Sequence, residues 1–175
     1  MLLEYQKITI RNAIGEDAPL LAHWWNDGKV MAHAGFPKGL GTTPEKIAAD
    51  LARDSDARRR RLILLWEDIP IGEMVCRNLG DGVAEIGIKI CVGSYQEKGI
   101  GRTALSMLIQ NLFDSGYTKI ILDTSLSNTR AQHVYEKLGF QKLRVNADSW
   151  QNQLGVWESS VDYALTEETF HNFAV

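Results

Sequence analysis

The sequence predicts a mixed α/β fold: a central, mostly antiparallel seven-stranded sheet flanked by about four helices. Three observations carry that expectation. Val83–Val92 reads as a strand entering a glycine turn, Tyr95–Gly101, followed by a helix from Arg102 to about Gly116 and a strand, Thr118–Asp123. That is a βαβ unit, whose helical crossover makes its two strands parallel and should be right-handed. Upstream, Leu62–Glu67 and Ile71–Arg77 are apolar strands around Asp68–Pro70, the signature of an antiparallel hairpin. Finally, apolar residues recur at helical spacing in four stretches bounded by proline, glycine or capping side chains.

Taken in order, Tyr5–Asn12 alternates Ile8 and Ile10 against Thr9 and Arg11, the pattern of a half-buried strand. Acids and Pro19 after Gly15 open a helix whose apolar face is Leu20, Leu21, Trp24 and Trp25. The paired tryptophans fit a core better than a ligand box. A glycine-rich loop spans 31–43, and Pro44 then sits in the first turn of a second helix running to about Asp54. Arg58–Arg61 is the one charge run, read as a solvated junction. After the βαβ unit and one more helix, Gln141–Val145 and Gly155–Leu165 read as strands joined by a polar excursion, 146–152.

Composition narrows the function. The chain has 175 residues, 45% hydrophobic and 23% charged, enough for a substantial core without staples. A formal net charge of −3 leaves no basic footprint for nucleic acid. Cys76 and Cys91 lack metal-ligand or triad-like context and read as reduced, buried thiols of a cytoplasmic protein. His23 and His33 lack partners at metal-ligand spacing, so no metal is expected. The N-terminus lacks signal-peptide features, and no apolar run approaches the ~20 residues of a membrane span.

The glycine turn carries chemistry through what it lacks. Without Cβ atoms, Gly99 and Gly101 allow a ligand close to the backbone, and the N–H groups from Lys98 to Thr103 lie at the positive end of a helix. Such a place suits a phosphate. Arg102 adds a cation in the first turn, where charge alone disfavours it unless an anion is present. Gly99–Ala104 also fits the dinucleotide pattern G-x-G-x-x-A, with Asp123 roughly 20 residues on as the ribose acid. That reading fails on context: the motif falls past mid-chain, and too few parallel units follow it.

The next segment decides between these readings. Asn128, Ala131, Tyr135 and Leu138 share one helix face. Together with Gln96-x-x-Gly99-x-Gly101, the spacing Asn-x-x-Ala-x-x-x-Tyr ending in Gly139–Phe140 resembles the GNAT superfamily of acyl-CoA-dependent N-acetyltransferases. The likeness is best over 83–140. Ile10–Ala13 and Val161–Glu168 are most similar to the branch that includes ribosomal-protein N-terminal acetyltransferases.

The resemblance implies a single N-acetyltransferase domain over 1–175, with acetyl-CoA as cosubstrate. The parallel strands splay apart to admit the pantetheine arm, with backbone groups of Ile90, Cys91 and Val92 along it. The turn of Gln96, Glu97, Lys98, Gly99, Ile100, Gly101, Arg102 and Thr103 takes the pyrophosphate. Asn128, a natural helix cap as well, touches the pantetheine beside Ala131. An N–H near Cys91 serves the oxyanion, and Tyr135 protonates the leaving thiolate. Glu85 is the expected base, with Glu73, Asp123 or a water relay as alternatives. The expected partner is a small-molecule or peptide amine such as a protein N-terminus, polyamine or aminoglycoside. Nucleic acid and membrane are excluded, and the protein is expected as a monomer or homodimer. A non-catalytic acyl-CoA-binding or regulatory module is the alternative, which retention of Tyr135 disfavours.

Overall fold

The computed structural model describes residues 1–175. Its strands are β1 (Leu2–Tyr5), β2 (Ile8–Asn12), β3 (Arg59–Trp66), β4 (Ile69–Gly80), β5 (Val83–Ile90), β6 (Lys119–Ser125), β7 (Gln141–Gln151) and β8 (Trp157–Leu165). Its α-helices are α1 (Ala18–Asn26), α2 (Gly28–Met31), α3 (Pro44–Leu51), α4 (Ile100–Asp114) and α5 (Thr129–Lys137). The strands form one sheet in the order β1-β2-β3-β4-β5-β6-β8-β7, and only the β5–β6 pair is parallel.

The sheet has eight strands, one more than the sequence pattern suggests. The first strand is a hairpin, turned at Gln6 with φ 53°. Gln-Lys carries no turn signal, so sequence patterning merges the two arms. The β3–β4 turn is better marked: Glu67 and Asp68 both take positive φ, as a two-residue hairpin turn matching the sheet's twist requires. The fifth helix, α2, is one turn of what reads as loop, capped by Asp27 Oδ1 accepting from the Lys29 N–H at 2.8 Å. The excursion expected over 146–152 is, as far as Gln151, the irregular continuation of β7, whose register slips between Asn146 and Trp150.

Two apolar clusters cover the two faces of the sheet. The larger joins the inner face of α4 (Ala104, Leu105, Leu108, Ile109, Leu112) to Ile10, Leu62, Leu64, Ile86, Ile120, Val161 and Tyr163. The smaller packs Leu21 and Trp24 of α1 and Ile47 and Leu51 of α3 on Ile63 and Leu65. Alternation along β3 thus feeds both cores from one strand. The arginine run is structural, not solvated. Arg61 is buried, and its fork meets the equally buried Asp54 carboxylate at 2.8 and 2.9 Å. That pairing holds the Asp54 carboxyl below the usual aspartate range despite the opposing effect of burial.

What positions the site is a defect in the sheet. β5 and β6 pair only from Val83–Lys119 to Glu85–Ile121, and beyond that they part. β6 remains fully paired to β8 from Ile120 to Ser125, while β5 follows β4 as far as Ile90. Each strand keeps one neighbour and opens a wedge towards the other. No helix is long and apolar enough to cross a membrane.

Candidate active site

The wedge continues into a cleft of about 990 Å³ that passes through the sheet. On the α4–α5 side its walls include Gln96, Glu97, Gly99, Gly101, Arg102, Asn128, Arg130, Ala131, Val134 and Tyr135. On the opposite, α1–α3 side lie Lys29, Val30, His33, Lys89, Asp123, Trp150 and Ser160. Ile88 and Ile90 line the gap itself.

A bulge ends β5. The N–H groups of Cys91 and Val92 both donate to the Ile71 carbonyl, at 2.8 and 3.1 Å. Cys91 and Val92, expected to offer backbone groups to the pantetheine and an N–H to the oxyanion, thus have their N–H groups taken up inside the sheet, and neither residue lines the cleft. Strand alternation aims the backbone of Ile90 the opposite way, into the wedge. Its carbonyl accepts from Gln96 Nε2 at 2.8 Å, and Gln96 Oε1 accepts from Arg130 Nη1 at 3.2 Å. Gln96 thus ties β5 to α5 across the mouth of the cleft.

The glycine turn leads into α4 through Glu97 and Gly99, both at positive φ. The backbone N–H groups of residues 97–102 have no acceptor within the chain, whereas that of Thr103 bonds to the Gly99 carbonyl at 3.1 Å. Thr103 closes the first turn of the helix, which corrects its place among the anion contacts. The side chains of Lys98, Ile100 and Thr103 do not line the cleft, and Ile100 is buried in the larger core. Arg102 does line it, with its guanidinium 4.2 Å from the Phe173 ring centre and its buried Nε without a partner. Free N–H groups, an unpaired guanidinium and an open approach over Gly101 fit a pyrophosphate. Phe173 escapes sequence reasoning because the C-terminal tail meets α4 only through tertiary contacts.

Asn128 caps α5, its Oδ1 accepting from the Ala131 N–H at 3.3 Å. One turn beyond Ala131, Tyr135 is 7% exposed and packs edge-on against Phe140 and Tyr163. Burial, and secondly the charge of Asp123, push the phenol up to about 12. It keeps its proton throughout the neutral range.

The carboxylates are sorted differently from the sequence expectation. Glu85 lies outside the cleft lining and is held by Arg77 Nη1 at 2.8 Å. Glu73 is buried, its Oε1 accepting from Trp25 Nε1 and Lys89 Nζ, each at 2.8 Å. Asp162, level with Asp123 on the neighbouring strand, is tied to Arg144 at 2.6 Å and to Asn146 at 3.0 Å. Asp123 alone lines the cleft without a hydrogen-bonded or ionic partner. Burial, then Glu85 and Asp162, raise its carboxyl above the ordinary aspartate range. A carboxylate with that environment is suited to accept a proton.

The α1–α3 side has a roof assembled from distant segments. Gly35 (φ 92°) lies so close to Trp150 that a Cβ there would come within 2.3 Å of the indole. Gln153, in the β7–β8 turn, accepts from the Lys38 N–H at 2.8 Å and donates to the Gly39 carbonyl at 2.9 Å. Trp150 and Lys29 were missed as site residues. A lone tryptophan in a polar stretch was the only available signal.

Comparison with known proteins agrees with this architecture. The family model described as an acetyltransferase (GNAT) domain matches residues 7–141. No curated protein matches the chain at a significant level. Among solved structures, a probable acetyltransferase superposes with a TM-score of 0.83 at 24% identity, covering 96% of this chain and 98% of its own. The ribosomal-protein-S5-alanine acetyltransferase from Vibrio fischeri gives 0.82 at 18% identity, over 98% and 99% of the two chains. The spermidine N-acetyltransferase from Vibrio cholerae, in complex with CoA and spermine, gives 0.80 at 20%, over 93% and 97%.

Proposed function

The chain belongs to the GNAT acetyltransferase family, and on that premise we propose that it moves the acetyl group of acetyl-CoA directly onto a primary amine. The observation that carries this reading is the through-sheet cleft, which Tyr135 lines from α5 and Asp123 from β6. The α4–α5 side receives the coenzyme, whose thioester supplies the activated acetyl group. Residues 97–102 and Arg102 hold its phosphates, and the wedge-facing backbone of Ile88 and Ile90 borders its arm. Asp123 takes the proton that leaves the amine, and Tyr135 donates one to the sulfur as the thioester opens. Glu85 is not proposed as the base, since Arg77 neutralises it outside the cleft.

Transfer without an acyl-enzyme follows from the thiols. Burial pushes Cys91 up to about 12 and Cys76 to about 11, and neither lines the cleft. No thiolate nucleophile is available at neutral pH. Likeness in fold extends to acetyltransferases named for ribosomal protein and for spermidine. Acetyl-CoA-dependent release of free thiol with a panel of amines tests the proposal. Coenzyme binding without turnover of any amine would leave the non-catalytic module standing.

Two further outcomes are expected. A Cβ at Gly101 would meet nothing closer than Ile88 Cδ1 and Ile90 Cγ1 at 3.9 Å, so Gly101→Ala fits the fold. It should stabilise α4 by up to about 1 kcal/mol. The same methyl occupies the approach to the phosphate site, so CoA affinity should fall about tenfold, or about 1.4 kcal/mol. Calorimetric titration beside a thermal melt checks the opposite signs. Gln153→Ala removes two side-chain hydrogen bonds that hold the roof. The KM for the amine should rise severalfold while that for acetyl-CoA holds, as steady-state kinetics in each substrate would reveal.

A further inference from the structure

The amine-side half of the cleft has a charge pattern that selects among amines. Four ionisable side chains line it: Lys29, His33, Lys89 and Asp123. Lys89 is already matched, its Nζ lying 2.8 Å from Glu73 Oε1. The carboxylates flanking Asp123 are matched as well, Glu85 by Arg77 at 2.8 Å and Asp162 by Arg144 at 2.6 Å. What remains unpaired is one carboxylate within the cleft and two basic side chains, Lys29 and His33, on its outer wall. Both basic residues come from α2 and the turn after it, a segment held down by Trp150 against Gly35.

A single anion facing Lys29, a cation on the outer wall, makes a poor seat for a polyamine. Its first ammonium would pair with Asp123, and its next would meet Lys29, a like charge at the rim of the cleft. A molecule with the opposite arrangement satisfies both ends. We propose that the acceptor is an amine carrying its own carboxylate, with the amine at Asp123 and the carboxylate against Lys29 and His33. A free α-amino acid and a peptide amino terminus followed by an acidic residue share that chemistry. This inference rests on the acetyl-transfer reading for which side of the cleft takes the amine. It goes beyond that reading by fixing the substrate's second charge. Lys29 is then a specificity residue, exposed at the rim and without an ion pair to break in the free protein.

The test uses the intact protein with acetyl-CoA and four acceptors: glutamate, a peptide amide beginning Ala-Glu, one beginning Ala-Lys, and spermidine. Thiol release should give kcat/KM roughly tenfold or more higher for glutamate or the Ala-Glu peptide than for the Ala-Lys peptide and spermidine. Whichever acidic acceptor leads identifies the source of the carboxylate. Lys29→Glu should reverse the ranking and leave the KM for acetyl-CoA unchanged. A wild-type preference for spermidine overturns the proposal, as does a ranking that Lys29→Glu does not move. Calorimetric binding of the same four compounds to the protein–CoA complex separates the two readings. Selective binding of the acidic amines without turnover upholds this inference and defeats acetyl transfer. Absence of selectivity in both assays defeats this inference alone if any amine is acetylated, and both if none is.

Discussion

Tyr135→Phe is expected to lower kcat by roughly 10²-fold, within the range of general acid catalysis, with CoA affinity nearly unchanged. The substitution keeps the ring that packs edge-on against Phe140 and Tyr163, each at 5.8 Å between ring centres, so the helix and its core survive. Only the hydroxyl at the cleft is lost. Burial and the charge of Asp123 push that phenol up to about 12, so wild-type Tyr135 keeps its proton at neutral pH. Rapid-mix kinetics beside calorimetric CoA titration checks the result. An unchanged kcat would make Tyr135 a packing residue and remove the acid from the mechanism.

Asp123→Asn is expected to lower kcat/KM for the amine by at least about 10²-fold near neutral pH and to abolish the acidic limb of the pH profile. Burial first, and then Glu85 and Asp162, raise the Asp123 carboxyl, so the limb should lie above the ordinary aspartate value near ~3.9. Stability should move the other way. A carboxyl whose folded pKa is raised favours the fold while protonated, and that contribution is lost as pH rises through the folded pKa. At neutral pH the charged form is therefore a liability that asparagine removes, and Asp123→Asn should melt higher than wild type there. The difference should vanish in acid. Melting curves across pH, run beside the kinetics, separate this from a damaged fold. Glu85→Gln breaks the ion pair with Arg77 and should leave the limb in place, displaced slightly acidward because Asp123 loses a neighbouring charge.

Much of the machinery was legible because it is local. Helix and strand periods, the glycines at 99 and 101 and the face shared by Asn128, Ala131 and Tyr135 all depend on spacing within about ten residues. Resemblance to the GNAT superfamily added the coenzyme, and the family match over 7–141 agrees. The hairpin at Gln6 was missed because its turn residues carry no signal, and β7 was cut short because its register slips. Arg61 was misread for another reason: its partner, Asp54, stands across a turn that the charge run does not reveal.

By itself, then, the sequence determined the order of elements from β3 to α5, the glycine turn before α4 and the tyrosine on α5, because each is set by backbone sterics and side-chain period along one segment. Tertiary structure alone decided which carboxylate is available. Glu73, Glu85 and Asp123 are equivalent in the sequence, being acids in neighbouring strands. Cross-strand register assigns Arg77 to Glu85 and Lys89 to Glu73, and it leaves Asp123 facing the wedge unpaired. It also spends the N–H groups of Cys91 and Val92 on Ile71. The physical reason is common to both. Coulombic and hydrogen-bond partners are chosen by distances across strands, and a chain read in one dimension does not contain those distances.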